Sequence, residues 1–194
     1  MISVIIPTIT GREDSFAAVC AAYLERTPDV QIVSVKDYPS WPAGCNAARR
    51  DAKGDVLHFG ADDLEPVTGW AEAALGCLER GEIPAAQVWD YLQSGPCANE
   101  AQDCPAGSIT EFSRVPTLTR EMAERIGTWP EFHYFSDNWI ADKARSLGYV
   151  IRVTAGYSFI HHWHQVGRLD TGDWVGQYKP LYNLEREKLG LAPV

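Results

Sequence analysis

The chain has 194 residues, of which 45% are hydrophobic, and it carries 17 basic and 26 acidic side chains for a formal net charge of −9. These values predict one globular domain with a sizeable core, and the lack of an apolar run of about 18 residues excludes a membrane-spanning helix. Between Asp62 and Asp142 lie 15 of the acidic but only four of the basic residues. This imbalance disfavours wrapping of a nucleic-acid backbone and suits a bound cation.

The cysteines and the N-terminus predict an intracellular protein. Five cysteines without a CxxC pair argue against a disulfide scaffold or a zinc knuckle. The first residues enter an apolar segment without a basic region or a small-residue cleavage site, so no secretory signal is predicted. The expected location is the cytoplasm, or the host cytoplasm if the protein is viral.

The first third of the chain alternates between strand and helix patterns. Apolar, β-branched runs predict strands over 1–6, 30–35 and 56–59. Helical spacing of apolar residues predicts a helix behind a capping-box pattern at 10–13, and a second helix over 43–52. Strands and helices that alternate with short links predict a parallel sheet with right-handed crossovers.

The rest of the chain is less regular. Helices are predicted over 70–78, 119–126, 137–147 and 175–189, and strands over 86–92, 149–153 and 157–161. The segment 93–108 is rich in Gly, Pro, Cys, Asn and Asp and is predicted to be an exposed loop.

Polar residues follow each of the three predicted parallel strands. Pro7 and Thr8 follow the first strand, Asp37 the second, and Asp62 with Asp63 the third. Ligands of open parallel sheets bind beyond the carboxyl ends of the strands, so these residues are expected in one solvent-facing crevice. Adjacent carboxylates repel each other and call for a compensating cation. The alternatives are a turn residue at Asp37, and a solvated turn or helix cap at Asp62 and Asp63.

The usual nucleotide-binding loops are absent from the sequence. No GxGxxG follows the first strand and no GxxxxGK[ST] occurs, which disfavours a dinucleotide dehydrogenase and a P-loop ATPase. The charge of a bound diphosphate would then have to be met by a metal on carboxylates or by scattered basic residues. Arg168 is one candidate, because a guanidinium binds phosphate oxygens bidentately.

Three of the five histidines lie within four positions. On a strand, His162 and His164 would face one way and His161 the other. Imidazole together with carboxylate suits Mn²⁺ or another divalent ion. The alternatives are core or surface histidines, or a metallohydrolase centre, although no HExxH motif or second His/Asp cluster supports the last.

Asp137 opens a predicted helix after the aromatic segment 132–135. A carboxylate at this position often only caps the helix, and the helix dipole is expected to keep it ionised. In a crevice, the same carboxylate can take a proton from a hydroxyl.

In order and spacing, these features resemble a family 2 glycosyltransferase of the GT-A fold, of the small, single-domain, phage type. The segment 3–8 resembles the opening strand and nucleotide-contacting turn, and Asp37 stands where the family has an acidic residue for the base. Gly44, Asn46, Ala47 and the segment 54–59 resemble the stretch that leads into the DXD motif. That motif reads Gly60-Ala61-Asp62 here, so Gly60 replaces its first carboxylate, and Pro66 and Trp70 fit the run that follows.

The second half of the chain carries the acceptor side of the resemblance. The segment 126–132 resembles a glycine and aromatic acceptor-side stretch. Ser136-Asp137 stands where the family has Glu-Asp, which places Asp137 on the catalytic base and leaves Ser136 as a second departure. His161 and His162 follow Asp137 by 24 and 25 residues, which is the spacing of a histidine pair in the family.

The resemblance implies an α/β fold, GT-A and Rossmann-like, with a mostly parallel central sheet flanked by helices. Its nucleotide-binding half would be 1–65 and its acceptor half 66–165, followed by a helical tail over 166–194. It further implies inverting sugar transfer from a UDP- or GDP-linked donor, with Mn²⁺ or Mg²⁺, to an acceptor that is a protein, a glycan or a modified nucleobase.

The predicted site residues follow from the patterns and the resemblance together. Asp137 is the expected base, with Asp63 as the next candidate. The expected donor contacts are Pro7, Thr8, Asp37, Asn46, Asp62 and Arg168, and the expected metal ligands are Asp62, Asp63, His162 and His164. Two other functions stay open, namely a degenerate nucleotide-sugar-binding protein, suggested by Gly60 and Ser136, and a His/Asp metallohydrolase.

Overall fold

A four-stranded sheet forms the N-terminal part of the structure, a computed structural model that describes residues 1–90, 95–96, 104–111, 113–132, 134–162 and 174–194. In spatial order, the strands are β2 (Val30–Val33), β1 (Ile2–Ile5), β3 (Val56–Phe59) and β8 (Thr117–Thr119). Strands β1 and β2 are parallel neighbours, as are β1 and β3, whereas β8 is antiparallel to β3. The carboxyl ends of β1, β2 and β3 therefore meet at one edge, as predicted.

A second, mixed sheet lies in the C-terminal part. Its strands are β4 (Leu64–Pro66), β5 (Ile83–Asp90), β6 (Gly95–Pro96), β7 (Ile109–Thr110) and β9 (Ile151–His161). The longest strand, β9, is parallel to β5 and antiparallel to β4 and β7. The helices are α1 (Glu13–Arg26), α2 (Trp41–Ala48), α3 (Trp70–Leu78), α4 (Arg120–Ile126), α5 (Ser136–Ser146) and α6 (Trp174–Lys188).

Strand β1 is buried on both faces, which explains its continuous apolar sequence. Ile2, Val4 and Ile6 pack into one hydrophobic cluster with Tyr23 and Trp70. Ile5 points the other way, into a larger cluster that contains residues from β3, α4 and α5. A strand buried on both faces is what the unbroken β-branched run predicts.

Most predicted elements form within a few residues of their expected bounds, and α3 has the predicted bounds. Two predictions are wrong. The segments predicted as strands over 149–153 and 157–161 belong to the single strand β9, which continues through Gly156 (φ +68°) while its pairing with β5 shifts register. The capping box at 10–13 does not form, because Arg12 is the N-cap of α1 and the Thr10 hydroxyl donates to Asp37 instead.

The short strands β4, β6, β7 and β8 have no counterpart among the predicted elements, since each has only two or three residues. Most of the predicted loop over 93–108 lies outside the described residues. In the described part of the chain, no helix has the length and apolar character needed to cross a membrane.

Candidate functional site

The residues that follow β1, β2 and β3 contact one another at the carboxyl edge of the first sheet. The backbones of Thr8 and Lys36 pair in parallel, and the Asp37 N–H donates to the Thr8 carbonyl at 3.0 Å. The Thr8 hydroxyl donates to Oδ2 of Asp62 at 2.7 Å. Pro7 packs closely on α2, where a Cβ added at Gly44 would lie 2.7 Å from the Pro7 Cβ. The structure thus brings the predicted donor residues Pro7, Thr8, Asp37 and Asp62 to one edge.

Asp37 fixes the turn after β1. Its exposed carboxylate accepts hydrogen bonds from the Thr10 N–H at 2.7 Å and from the Thr10 hydroxyl at 2.8 Å. These two bonds lower the pKa of Asp37 below its ordinary value. The Asp37 backbone is left-handed, with φ +60°, a conformation that is costly for residues other than glycine. The acidic side chain expected to meet the base therefore also holds the turn that precedes Arg12.

A single guanidinium nitrogen bridges the two adjacent carboxylates. Nη2 of Arg12 lies 3.0 Å from Oδ1 of Asp62 and 2.9 Å from Oδ2 of Asp63. Asp62 is only 4% exposed, so the expectation that it faces solvent is wrong. The repulsion between adjacent carboxylates is relieved here by a basic side chain from the turn after β1.

Burial acts differently on the pKa values of these two carboxyl groups. Burial raises the pKa of Asp62, although the Thr8 hydroxyl and the charge of Arg12 oppose the shift. Burial also works against ionisation of Asp63, but His161 and Arg12 outweigh it and hold the pKa of Asp63 at about 2. Asp63 is therefore the more firmly ionised member of the pair.

A buried polar network lies beside Gly60. A Cβ added at Gly60 would lie 3.0 Å from the Tyr23 hydroxyl. That hydroxyl is 2.8 Å from Nε2 of His58, whose Nδ1 is 2.8 Å from the Thr117 hydroxyl. Burial lowers the pKa of His58 to about 3, so its ring is neutral at physiological pH. A side chain at position 60 would therefore press on the Tyr23–His58 pair.

The two described histidines of the cluster face different partners. Nε2 of the buried His161 lies 3.7 Å from Oδ2 of Asp63, whereas Nε2 of His162 lies 2.8 Å from Oε2 of Glu65. His161, and not the predicted ligand His162, is the histidine near Asp63, since β9 aligns His161 with Leu64 of β4. Metal ligation by His162 stays a prediction. His164 and Arg168 lie outside the described residues.

Arg114 contacts His161 at the ring nitrogen opposite to the one near Asp63. Its Nη2 lies 3.3 Å from Nδ1 of His161, and its charge acts on Asp137. Because a guanidinium only donates, the His161 Nδ1 accepts in this contact. A series of close contacts therefore runs from Asp62 through Arg12, Asp63 and His161 to Arg114, whose charge favours the ionised form of Asp137.

Asp137 is in a different environment from the carboxylate pair. Its Oδ1 accepts a hydrogen bond from the Asn138 N–H at 2.9 Å. Burial raises the pKa of Asp137, and the Asn138 N–H and the charge of Arg114 only partly offset this. That the helix dipole keeps Asp137 ionised at neutral pH stays a prediction, and burial acts against it. A carboxylate with a raised pKa is a stronger base.

Residues of helix α6 pack against the N-cap of α5 and hydrogen-bond to a side chain of that helix. Phe135, the N-cap of α5, has a left-handed backbone (φ +69°) and stacks on Tyr182 with ring centroids 5.2 Å apart. The Tyr182 hydroxyl and Nη1 of Arg186 both donate at 2.6 Å to Oδ2 of the buried Asp142. Among the described residues, Asp37 and Phe135 are the two non-glycine residues with positive φ. Backbone strain of this kind clusters at functional sites, and here it lies at or within two residues of a predicted site residue.

Asn46 holds a loop beside the site. Its amide donates to the Trp129 carbonyl at 2.8 Å and accepts from the Trp129 N–H at 3.0 Å, while Nη1 of Arg49 donates to the Gly127 carbonyl at 2.6 Å. A cavity of about 370 Å³ lies between α2 and this loop. It is lined by Tyr38, Ala43, Asn46, Ala47, Arg49, Arg50, Thr128 and Glu131. Asn46 thus reaches a cavity beside Asp37, but its amide is already committed to the backbone.

Sequence reasoning missed Arg12 and Arg114. Arg12 had one usable signal, since it is a basic residue in the turn at the same sheet edge as the carboxylates. Arg114 lies in an irregular segment without a recognisable pattern. Across the described ranges, no group of three or more His, Cys, Asp or Glu side chains is placed to hold a metal ion.

No protein-family model and no curated protein matches the chain. Solved structures of the S. aureus glycosyltransferase TarS are similar to it. TarS 1–349 in complex with UDP-GlcNAc matches with a TM-score of 0.71 and 12% identity, over 95% of this chain and 66% of that chain. The complex with UDP gives 0.69 and 13%, over 95% and 64%. Against a longer TarS structure (TM-score 0.69, 12% identity), 95% of this chain is covered but only 39% of the TarS chain. With its two sheets and flanking helices, the chain has a fold of the GT-A glycosyltransferase type.

Proposed function

We propose that the protein is a family 2-like glycosyltransferase that transfers a sugar from a nucleotide-diphosphate donor to an acceptor hydroxyl with inversion. One observation carries the proposal. Polar residues from three parallel strand ends meet at one edge of the sheet, where the carboxylates of Asp62 and Asp63 lie together against Arg12. The UDP-GlcNAc and UDP complexes of the similar TarS structures support a nucleotide-sugar donor.

The donor nucleotide is proposed to lie along the turn after β1. Pro7 and Thr8 would contact it, and Asp37 would accept a hydrogen bond from the base. Uracil and guanine both offer a suitable N–H, so the donor is UDP- or GDP-linked. Asn46 and Arg168 remain proposed donor contacts, the latter to the phosphates.

The carboxylate pair fits a divalent cation in chemistry. Asp62 and Asp63 converge on one cationic nitrogen, and hard oxygen ligands suit Mg²⁺ and Mn²⁺, which are commonly held by one or two carboxylates together with substrate phosphates. Asp62 and Asp63 would hold the ion, with His162 and His164 as further proposed ligands. A bound ion supplies positive charge to the leaving diphosphate.

Asp137 is proposed to act as the general base. It takes the proton of the acceptor hydroxyl, and the acceptor oxygen forms a bond to the anomeric carbon. The bond from that carbon to the diphosphate oxygen breaks, and the nucleoside diphosphate leaves with the electron pair. Attack from the face opposite to the leaving group inverts the anomeric centre, and no enzyme nucleophile is needed.

A donor panel tests the proposal. UDP- and GDP-linked sugars are titrated calorimetrically, and nucleotide release is followed with and without protein, glycan or nucleobase acceptors. We expect one donor class to bind, and Asp37→Ala to weaken it by about 1.5–3 kcal/mol, the value of a hydrogen bond to a charged group. Binding without any turnover would identify a degenerate binder instead, and hydrolysis without a nucleotide sugar would identify a metallohydrolase. Failure of every donor to bind would refute the proposal.

A further inference from the structure

Arg12 occupies the position that a metal ion would share. Its side chain is largely buried, and Nη2 lies 3.0 Å from Asp62 and 2.9 Å from Asp63. The turn that carries it is fixed on both sides, since Thr10 is bound to Asp37 and the Arg12 N–H donates to the Ile9 carbonyl at 3.2 Å. The guanidinium is therefore held against the carboxylate pair by local structure as well as by charge.

The same guanidinium keeps one unused donor. Nε of Arg12 is buried and has no hydrogen-bond partner in the part of the chain that the structure describes. A buried N–H without a partner is costly, and a guanidinium donates two parallel bonds to a phosphate more readily than to two separate carboxylates. An incoming diphosphate would satisfy this donor.

Charge balance limits which cations the Asp62–Asp63 pair can bind. With glycine at position 60, the carboxylates that pair with Arg12 within the described ranges are those of Asp62 and Asp63. They neutralise one guanidinium, but they cannot also neutralise a divalent ion. The negative charges of a diphosphate would make both cations compatible with the site.

We propose that Arg12 is the resident counter-cation of the Asp62–Asp63 pair, and that a divalent ion binds there only when Arg12 exchanges these carboxylates for the phosphate oxygens of the donor. The inference rests on the proposed glycosyltransferase function, because the exchange requires a diphosphate ligand. Its consequence is an order of binding in which the metal enters with or after the nucleotide sugar.

Titration of the full chain with Mn²⁺ alone tests the first half, with free Mn²⁺ measured by electron paramagnetic resonance. We expect Arg12→Gln to bind Mn²⁺ at least about tenfold more tightly than the wild type, since a unit charge adjacent to both carboxylates is removed. Arg12→Lys, which keeps the charge, should gain less. Arg80→Gln is the matched control, because it removes an arginine paired with Glu82 without touching the pair. Circular dichroism verifies that each variant is folded, and equal Mn²⁺ affinity of wild type, Arg12→Gln and Arg12→Lys would overturn the proposal.

Repeating the titration with UDP and with GDP tests the second half. We expect the nucleotide that binds to raise the Mn²⁺ affinity of the wild type, and to raise that of Arg12→Gln by a smaller factor. A nucleotide that binds by calorimetry but leaves the wild-type Mn²⁺ affinity unchanged would overturn the exchange alone. Failure of both nucleotides to bind would refute the donor assignment as well, so the two failures are distinguishable.

Discussion

The proposed donor end of the site, at Asp63, and its proposed acceptor end, at Asp137, place their carboxylates in opposite electrostatic environments. At the donor end, Asp63 lies against Arg12 and near His161, which hold its pKa at about 2. At the acceptor end, Asp137 has the Asn138 N–H as a close partner, and burial raises its pKa. Opposite charges stabilise an ionised group, whereas burial makes a carboxylate more basic. One end is suited to holding fixed negative charge beside cations, and the other to accepting a proton.

The largest expected effect breaks the acceptor end. Asp137→Asn keeps the shape of the side chain but removes its basicity, so sugar transfer should fall by about 10²–10⁴-fold, the usual contribution of a general base. Donor affinity should be unchanged, because the nucleotide is proposed to lie at the other end of the site. Steady-state kinetics and calorimetry measure the two quantities, and Asp51→Asn, at an exposed residue, is the matched control. Normal transfer, or a loss confined to donor affinity, would identify Asp137 as a helix cap and leave Asp63 as the next candidate.

A second variant perturbs the support of the acceptor end. Asp142→Asn weakens a buried carboxylate that pairs with Arg145 and Arg186 and accepts from Tyr182. Breaking a buried ion pair costs about 3–5 kcal/mol of unfolding free energy, which chemical denaturation would measure. Tyr182→Phe removes one hydroxyl and should cost only about 1 kcal/mol. If both variants have the same small effect, α6 does not hold α5 through Asp142.

The features that the sequence predicts are those that depend on residues close together in the chain. The strands β1 to β3 and the helices α3 to α6 follow from local patterns, and the common edge follows from parallel topology alone. The faces of His161 and His162 alternate as predicted, but which of them meets Asp63 depends on the register between β4 and β9. That register pairs residues almost 100 positions apart, and a three-residue strand gives no local signal.

The basic residues that lie near the site carboxylates could not be predicted from the sequence either. Arg12 and Arg114 reach the carboxylates only in the folded chain, so the expected cation was assigned to a metal. The pKa of Asp137 depends on how deeply the start of α5 is buried. A helix N-terminus visible in the sequence favours ionisation, but the opposing burial is visible only in the structure.

A third variant adds a side chain at Gly60, beside the Tyr23–His58 pair. Gly60→Asp would restore the acidic residue of the DXD pattern, yet its Cβ would lie 3.0 Å from the Tyr23 hydroxyl. We expect a loss of about 1–3 kcal/mol in unfolding free energy from crowding in the core, without a gain in Mn²⁺ affinity. Gly11→Asp has open space around its Cβ, but its positive φ makes it a poor control. Ala61→Asp, at the adjacent position, is the better comparison. A stable Gly60→Asp protein that binds Mn²⁺ more tightly would show that the Tyr23–His58 pair can shift to accommodate the new carboxylate.

The smallest expected effect compares the two ends by their response to acid. The pKa of Asp63 is about 2 in the folded protein against an ordinary value of 3.8, so ionised Asp63 contributes about 2 kcal/mol of stability above pH 4. This contribution is lost as the pH falls from about 4 towards 2, because the unfolded chain then takes up the proton first.

The contribution of ionised Asp137 to stability has the opposite sign, since its raised pKa means that ionisation destabilises the folded state. Thermal melts from pH 7 to pH 2.5 should therefore show Asp63→Asn less stable than the wild type at neutral pH, with a difference that shrinks in acid. Asp137→Asn should melt at the same temperature as the wild type or higher at neutral pH, and this gain should also vanish in acid. If both variants shift the melting temperature in the same direction at neutral pH, the two carboxylates do not have opposite environments and the proposed division of the crevice is wrong.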